Sequence, residues 1–230
     1  MAGWREIKES AESSATTLQK WGSLSSFLLT VTFIVPPWIY LVGDVRAAIG
    51  PFAYALADFL YGPVWAASLV TAVFALRERI GEHASRRMDL ALLAATLAAG
   101  AMVTVACIRA SNRHYHIIHP ELHLETSTTV LVVWTTLVAG VNATGWHFLG
   151  WVLVLVGSAG WTSRRLPRVL SVLYLLGGTS SLFVYMLPDL EANAVALGVV
   201  MSIWQGILLW KGEPGEKQAP EINTSQPDQA

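Results

Sequence analysis

Leu90-Ala-Leu-Leu-Ala-Ala-Thr-Leu-Ala-Ala-Gly-Ala-Met-Val-Thr-Val-Ala-Cys-Ile108 runs for nineteen residues without a charged side chain, between Arg86, Arg87 and Asp89 on one side and Arg109 on the other. An α-helix needs about 20 mostly apolar residues to cross the hydrocarbon core of a bilayer. The stretch therefore reads as a membrane span, and the composition of the whole chain agrees. Of 230 residues, 53% are hydrophobic and only 13% charged, against roughly 25% charged in soluble domains. That deficit excludes an ordinary soluble domain, a disordered chain and a basic nucleic-acid binder. A net charge of −1 implies no bulk attraction to an acidic partner. The single cysteine, Cys107, excludes an internal disulfide framework and any multi-cysteine zinc or iron–sulfur site.

Five further stretches qualify as spans. Leu24 to Val42 contains Pro36 and Pro37, so its last turn is expected to be kinked or unwound. Tyr54 to Leu76 carries Pro63 as an expected kink. Trp146 to Trp161, Val169 to Leu187 and Ala194 to Trp210 complete a set of six. Thr128 to Val141 is also apolar, but its 14 residues fall short of the roughly 17 a span requires.

Charge decides how that segment is read. Lys and Arg of short loops gather on the cytoplasmic side. Six spans put Arg5, Lys8, Lys20, Arg77, Arg79, Arg86, Arg87, Arg164, Arg165, Arg168, Lys211 and Lys217 on one side, leaving Arg46, Arg109 and Arg113 for the other. A seventh span at Thr128 to Val141 would carry the Arg164 group across. The segment is therefore read as a re-entrant or interfacial helix, capped by Thr126 or Ser127. Trp21, Trp38, Trp146, Trp161 and Trp210 fall at span ends, where interfacial aromatic belts sit.

The expected fold class is thus all-α: a polytopic membrane helix bundle with six transmembrane helices plus a short re-entrant or interfacial helix. Residues 1–20 form a cytoplasmic N-terminal segment, weakly amphipathic and too polar for a signal peptide. Residues 21–211 form the six-span membrane domain. Residues 212–230, rich in Pro, Glu, Gln and Asn, read as a disordered cytoplasmic tail. The expected location is the bacterial plasma membrane, with both termini cytoplasmic. No internal repeat is evident, which weakens a transporter reading.

Polar and ionisable groups are costly in a membrane and mark function by default. Here they gather toward the outer ends: Tyr40, Asp58, Tyr61, Arg109, Asn142, His147, Tyr185, Asp189 and Glu191. The densest part is Asn112-Arg-His-Tyr-His-Ile-Ile-His-Pro-Glu-Leu-His-Leu-Glu125, with four of the six histidines. If the third helix reaches about His119, then Asn112, His116 and His119 share one face. Beyond Pro120, an extended reading aligns His119, Glu121, His123 and Glu125 against Leu122 and Leu124.

Three readings of this segment stand side by side. Imidazoles and carboxylates suit zinc, iron or manganese, which makes His116, His119, His123 and Glu125 the candidate metal ligands and a divalent ion the candidate cofactor. The same groups serve acid–base chemistry without metal. The plainest reading is a solvated outer loop whose charges pair among themselves and with headgroups. Asp58, about 10 Å from the outer end of its helix at 1.5 Å per residue, needs a partner or a raised pKa. Arg109, Arg113 and a histidine are the candidate partners. Gln205, deep in the last span, suits an interhelical hydrogen bond.

The C-terminal half carries a recognisable pattern. Gly145-Trp-His-Phe-Leu-Gly-Trp-Val-Leu-Val-Leu-Val-Gly157 is followed by Trp161-Thr-Ser-Arg-Arg-Leu-Pro-Arg-Val-Leu170 and by a span with Gly177-Gly178. A glycine-bearing helix, a Ser-x-x-Leu-Pro-Arg-x-Leu turn and another helix resemble a large bacterial family of multi-pass membrane proteins of unknown function. The resemblance covers about Gly145 to Trp210 and implies roughly six helices, with no reaction attached. The His-rich segment lies outside it. Physically, Pro167 starts a helix and the arginines anchor it.

Two functions follow from these residues. In the first, an outward-facing pocket handles an amphiphilic or lipidic small molecule. Asp58, His116, Glu121 and His147 are the candidate catalytic residues, and Arg113, Tyr61, Tyr115 and Asp189 the candidate substrate contacts. The chemistry is metal-assisted, or acid–base isomerisation or cyclisation of an isoprenoid-like chain, with aromatic faces stabilising a developing cation. In the second, the protein is a non-enzymatic membrane sensor or docks a partner through the Arg77 to Arg87 loop and the tails, with the His-rich segment responding to pH. Membrane lipids are expected partners in both, and nucleic acid in neither.

Overall fold

A backbone in lipid must satisfy its own hydrogen bonds, and long apolar runs do so as helices. The computed structural model describes the backbone of residues 2–118 and 128–212, and side chains within 17–82, 84–113 and 132–212. Among the described residues there are eight α-helices and no strand: α1 (Ala2–Leu41), α2 (Gly43–Ile49), α3 (Ala53–Phe59), α4 (Trp65–Ile80), α5 (Ser85–Ile118), α6 (Thr128–Ser163), α7 (Arg168–Phe183) and α8 (Leu190–Trp210). Five helical stretches are long and apolar enough to cross a membrane: Thr17–Leu41, Gly43–Ile80, Ser85–Arg113, Val132–Ser163 and Leu190–Trp210.

The long helices close into a ring. α1 packs on α4, α4 on α5, α5 on α6, α6 on α7, α7 on α8, and α8 returns to α1. Ser23 Oγ of α1 donates to the Gly206 carbonyl of α8 at 2.7 Å, tying the two ends of the chain's helical order together. Leu29, Phe33, Trp65, Leu69, Leu149, Val152 and Met201 fill the interior. At its centre the Tyr174 hydroxyl donates to Gln205 Oε1, and Gln205 Nε2 donates to the Ala72 carbonyl at 3.3 Å. Gln205 thus makes the interhelical bonds expected of it. The cavity left between these helices is about 30 Å³, room for little more than a water molecule.

Small residues set the closest approach. A Cβ on Gly150 of α6 would lie 2.9 Å from the Gly178 carbonyl oxygen, and a Cβ on Gly178 of α7 would lie 2.9 Å from the Gly150 carbonyl oxygen. The two backbones touch, as small residues allow between helices in lipid. The turn between them is held by Leu166, buried over Gly160, and by Pro167, which occupies the N-cap of α7. This is the physical content of the glycine-bearing helix and the Leu-Pro-Arg turn.

The helices end differently from the sequence-based boundaries in four places. Thr128 to Val141 is not a separate re-entrant or interfacial helix. It is the first part of α6, which runs 36 residues without a break into the fourth expected span. No proline interrupts it, and a helix tolerates Gly140 at a cost of about 1 kcal/mol. The fifth expected span also changes: α7 has 16 residues, about 24 Å at 1.5 Å per residue, short of the roughly 30 Å core. Five helices therefore reach the length and hydropathy of a span, and α7 is a shorter apolar helix beside them. The first helix stays helical through Pro36 and Pro37 to Leu41 and is not unwound there, and it continues from Ala2 without a boundary near residue 20. At Pro63 the expected irregularity is a π-helical turn, Leu60–Val64, joining α3 to α4.

The antiparallel ring sorts the charges. Lys20, Arg77, Arg79, Arg86, Arg87, Arg164, Arg165, Arg168 and Lys211 lie at one end, where Arg79 donates to the Leu208 carbonyl and Arg87 to Thr162 Oγ1. The C-terminal parts of α1 and α5, with α2 and α3, lie at the other.

Candidate functional site

At that other end, α3 and the π turn place Tyr54, Asp58 and Tyr61 at helical spacings of four and three, on one face. Arg109 and Arg113 stand four apart on α5 opposite them. Asp58 is 3% exposed. Its Oδ2 accepts a hydrogen bond from Arg113 Nη2, and its Oδ1 accepts one from the Tyr40 hydroxyl at the end of α1. Arg109 Nη1 lies 3.9 Å from the same Oδ1 and donates to the Tyr40 hydroxyl at 3.4 Å. One carboxylate thus ties three helices. Burying it requires such partners, since an unpaired buried charge is prohibitively costly.

Aromatic faces support the guanidinium groups. Arg109 lies over the rings of Tyr40 and Tyr61, at 5.3 and 5.8 Å. Arg113 and Arg46 both lie over Tyr54, at 6.0 and 5.7 Å. Arg46, from α2, also donates to the Tyr40 backbone carbonyl. The Tyr61 hydroxyl donates to Asn142 Oδ1 of α6 at 2.8 Å. The three arginines at this end therefore converge on one cluster of tyrosines around one aspartate.

The structure brings together Asp58, Arg113 and Tyr61 of the expected site residues. His147 is elsewhere. Its Nε2 accepts from Trp151 Nε1 at 3.2 Å, and its ring packs edge-on against Phe148 and Tyr185. It lines an open groove with Ala143, Thr144 and Tyr185, away from Asp58. Asp189 is an exposed N-cap position of α8, with no side-chain capping bond. Tyr115 and His116 belong to the last turns of α5 by backbone, but their side chains lie outside the described residues. His119, Glu121, His123 and Glu125 lie outside the described residues altogether. Among the described residues no group of three His, Cys, Asp or Glu side chains is placed to hold a metal ion.

Sequence reasoning missed Tyr54 and Arg46 as members of the cluster. The signal for Tyr54 was its place one helical turn before Asp58. Arg46 offered only its sign, as a third cation remote from the basic end. Ligand-sized space lies on the surface rather than in the core: Val103, Thr104, Cys107, Asn112 and Trp134 line an open groove of about 560 Å³ between α5 and α6. Comparison of the chain with family models, with characterised proteins and with solved structures found no match.

Proposed function

We propose that the chain is an integral membrane protein that binds an amphiphilic or lipidic small molecule at the Asp58 cluster, with this end facing outward and both termini in the cytoplasm of a bacterial cell. The observation that carries the reading is the pairing of a buried carboxylate with Arg113, Arg109 and Tyr40 from two other helices. Such a group is expensive to bury, and a helix bundle of this kind needs none for its packing. The unequal distribution of Lys and Arg between the two ends supports the orientation. Membership of the bacterial multi-pass family belongs to the same proposal, supported by the touching glycines of α6 and α7.

Asp58 serves in this reading as the organising carboxylate of a binding site, not as a general base. Its oxygens are already engaged by two guanidinium groups and a phenol, and His147 does not reach it. The test is the co-purified small molecule. The full chain, extracted into detergent and washed, is analysed by native mass spectrometry beside Asp58→Asn and Arg113→Gln. The reading requires an amphiphile bound to the parent chain and lost or strongly reduced in both variants. Equal retention in all three would overturn it.

A further inference from the structure

The identity of the head group at this site can be narrowed, and the argument rests on the reading just given. Arg46, Arg109 and Arg113 bring three guanidinium groups to one place, and the only carboxylate within 4.0 Å of any of them, among the described residues, is Asp58. Glu191 at the start of α8 is near enough to interact with Arg109 but forms no ion pair within that distance. Among the described residues, the three guanidinium groups thus have a single carboxylate among them at ion-pair distance, paired with Arg109 and Arg113.

Most of the donor capacity is unspent. A guanidinium carries several N–H donors in a planar fork. Among the described residues, each arginine gives hydrogen bonds through a single Nη: Arg113 to Asp58, Arg109 to Tyr40, and Arg46 to the Tyr40 carbonyl. The side chains of Arg109 and Arg113 keep 27% and 32% of their surface accessible. Their guanidinium carbons lie 5.3–6.0 Å from the ring centroids of Tyr40, Tyr54 and Tyr61, which helps to hold the forks in place. Leu41 and Phe52, on either side of α2, are strongly exposed. Exposed apolar side chains of that kind would suit the acyl chains of a lipid beside the cluster.

We infer that Arg46, Arg109 and Arg113 form a receptor for a phosphate group, with Asp58 fixing the geometry of the two α5 arginines. Three forks from two helices match a group with three or more acceptor oxygens better than a carboxylate with two. Arginine pairs with phosphate through charge-assisted, often bidentate bonds, stronger than neutral ones. The phosphate belongs either to a lipid head group or to a free anion, and the experiment separates the two.

The full chain in maltoside micelles, which contain no phosphate, is titrated with phosphatidic acid, with diacylglycerol of the same chains, and with inorganic phosphate and pyrophosphate. Binding is read by native mass spectrometry and by the rise in melting temperature. Phosphatidic acid is expected to bind and diacylglycerol is not. Saturation by inorganic phosphate or pyrophosphate at similar concentration assigns a free anion; saturation by phosphatidic acid alone assigns a head group. Arg46→Gln should weaken binding by about tenfold while leaving the melting temperature of the ligand-free protein within a few degrees, because Arg46 does not touch Asp58. Arg113→Lys keeps the charge and loses the fork, so it should weaken binding by a comparable factor. Equal binding of phosphatidic acid and diacylglycerol, or unchanged phosphatidic acid binding in both variants, overturns the inference. If an amphiphile still co-purifies and is lost in Asp58→Asn, that outcome leaves the proposed binding function intact with a different head group.

Discussion

The Asp58–Arg113 pair gives the sharpest test of how this end of the bundle is held. Asp58→Asn keeps an oxygen for the Tyr40 hydroxyl but removes the charge facing two arginines. Hydrogen bonds to charged groups contribute about 1.5–3 kcal/mol, and breaking a fully buried pair costs about 3–5 kcal/mol. Here the carboxylate is buried but the Arg113 side chain keeps 32% of its surface, so water recovers part of the loss. About 2 kcal/mol is expected for Asp58→Asn, and about 2 kcal/mol for Arg113→Gln. The double variant should cost about 2.5 kcal/mol, leaving a coupling of about 1.5 kcal/mol, well above the roughly 0.5 kcal/mol within which independent sites add. The assay is reversible unfolding in mixed micelles of increasing dodecyl sulfate fraction, followed by helical circular dichroism. The Arg77–Asp89 pair at the opposite end is the internal control. Its side chains are 35% and 54% exposed, and exposed pairs couple only weakly. Additive effects of Asp58→Asn and Arg113→Gln, or a coupling no larger than that of the control pair, would refute the argument that the buried carboxylate organises the site.

Three further outcomes follow. Gly178→Val drives a side chain to 2.8–2.9 Å from the Val154 nitrogen and the Gly150 carbonyl; overpacking of this kind costs about 1–3 kcal/mol, and thermal melting should fall accordingly, whereas Gly100→Val, where nothing lies within 4 Å, meets no clash and should gain slightly in helix propensity. Gln205→Leu removes the bonds to Tyr174 and the Ala72 carbonyl; a loss of about 1 kcal/mol is expected on the same unfolding scale, and a gain would show that the polar pair does not stabilise the centre. In a Cys107→Ser background, intact cells should expose Asp44→Cys but not Glu82→Cys to a membrane-impermeant maleimide, both positions being solvent-exposed in the fold; the reverse pattern inverts the proposed orientation.

The helical class was legible because apolar runs of span length have one backbone solution, and the sorting of Arg77, Arg87, Arg164 and Lys211 to one end followed from loop charge alone. The boundaries were less legible. Thr128 to Val141 looked separate because it is short and because loop charge argued against a seventh span, yet nothing in Asn142-Ala-Thr-Gly breaks a helix and the segment simply continues into α6. The length of α7 depends on where the chain turns after Phe183, and Pro188 marks that turn only approximately. At the site, Asp58 and its arginine partners were readable from cost: a lone carboxylate in an apolar run must be paired. His147 was harder. Its distance from Asp58 is set by which face of α6 meets α5, and that face is chosen by packing across the ring rather than by local pattern.

The three arginines away from the basic end make a stronger statement together than singly. Each lies at the end of the bundle where Lys and Arg are otherwise scarce among the described residues, against the charge bias of the rest of the chain. One such exception is readily absorbed by snorkelling to water. Arg109 and Arg113 of α5 instead meet Asp58, and with Arg46 of α2 they lie over a shared set of three tyrosines. A fold that needed only to neutralise Asp58 could do so with Arg113 alone. The second and third cations, each with donors unspent among the described residues, are the observation behind the proposal that this cluster receives negative charge.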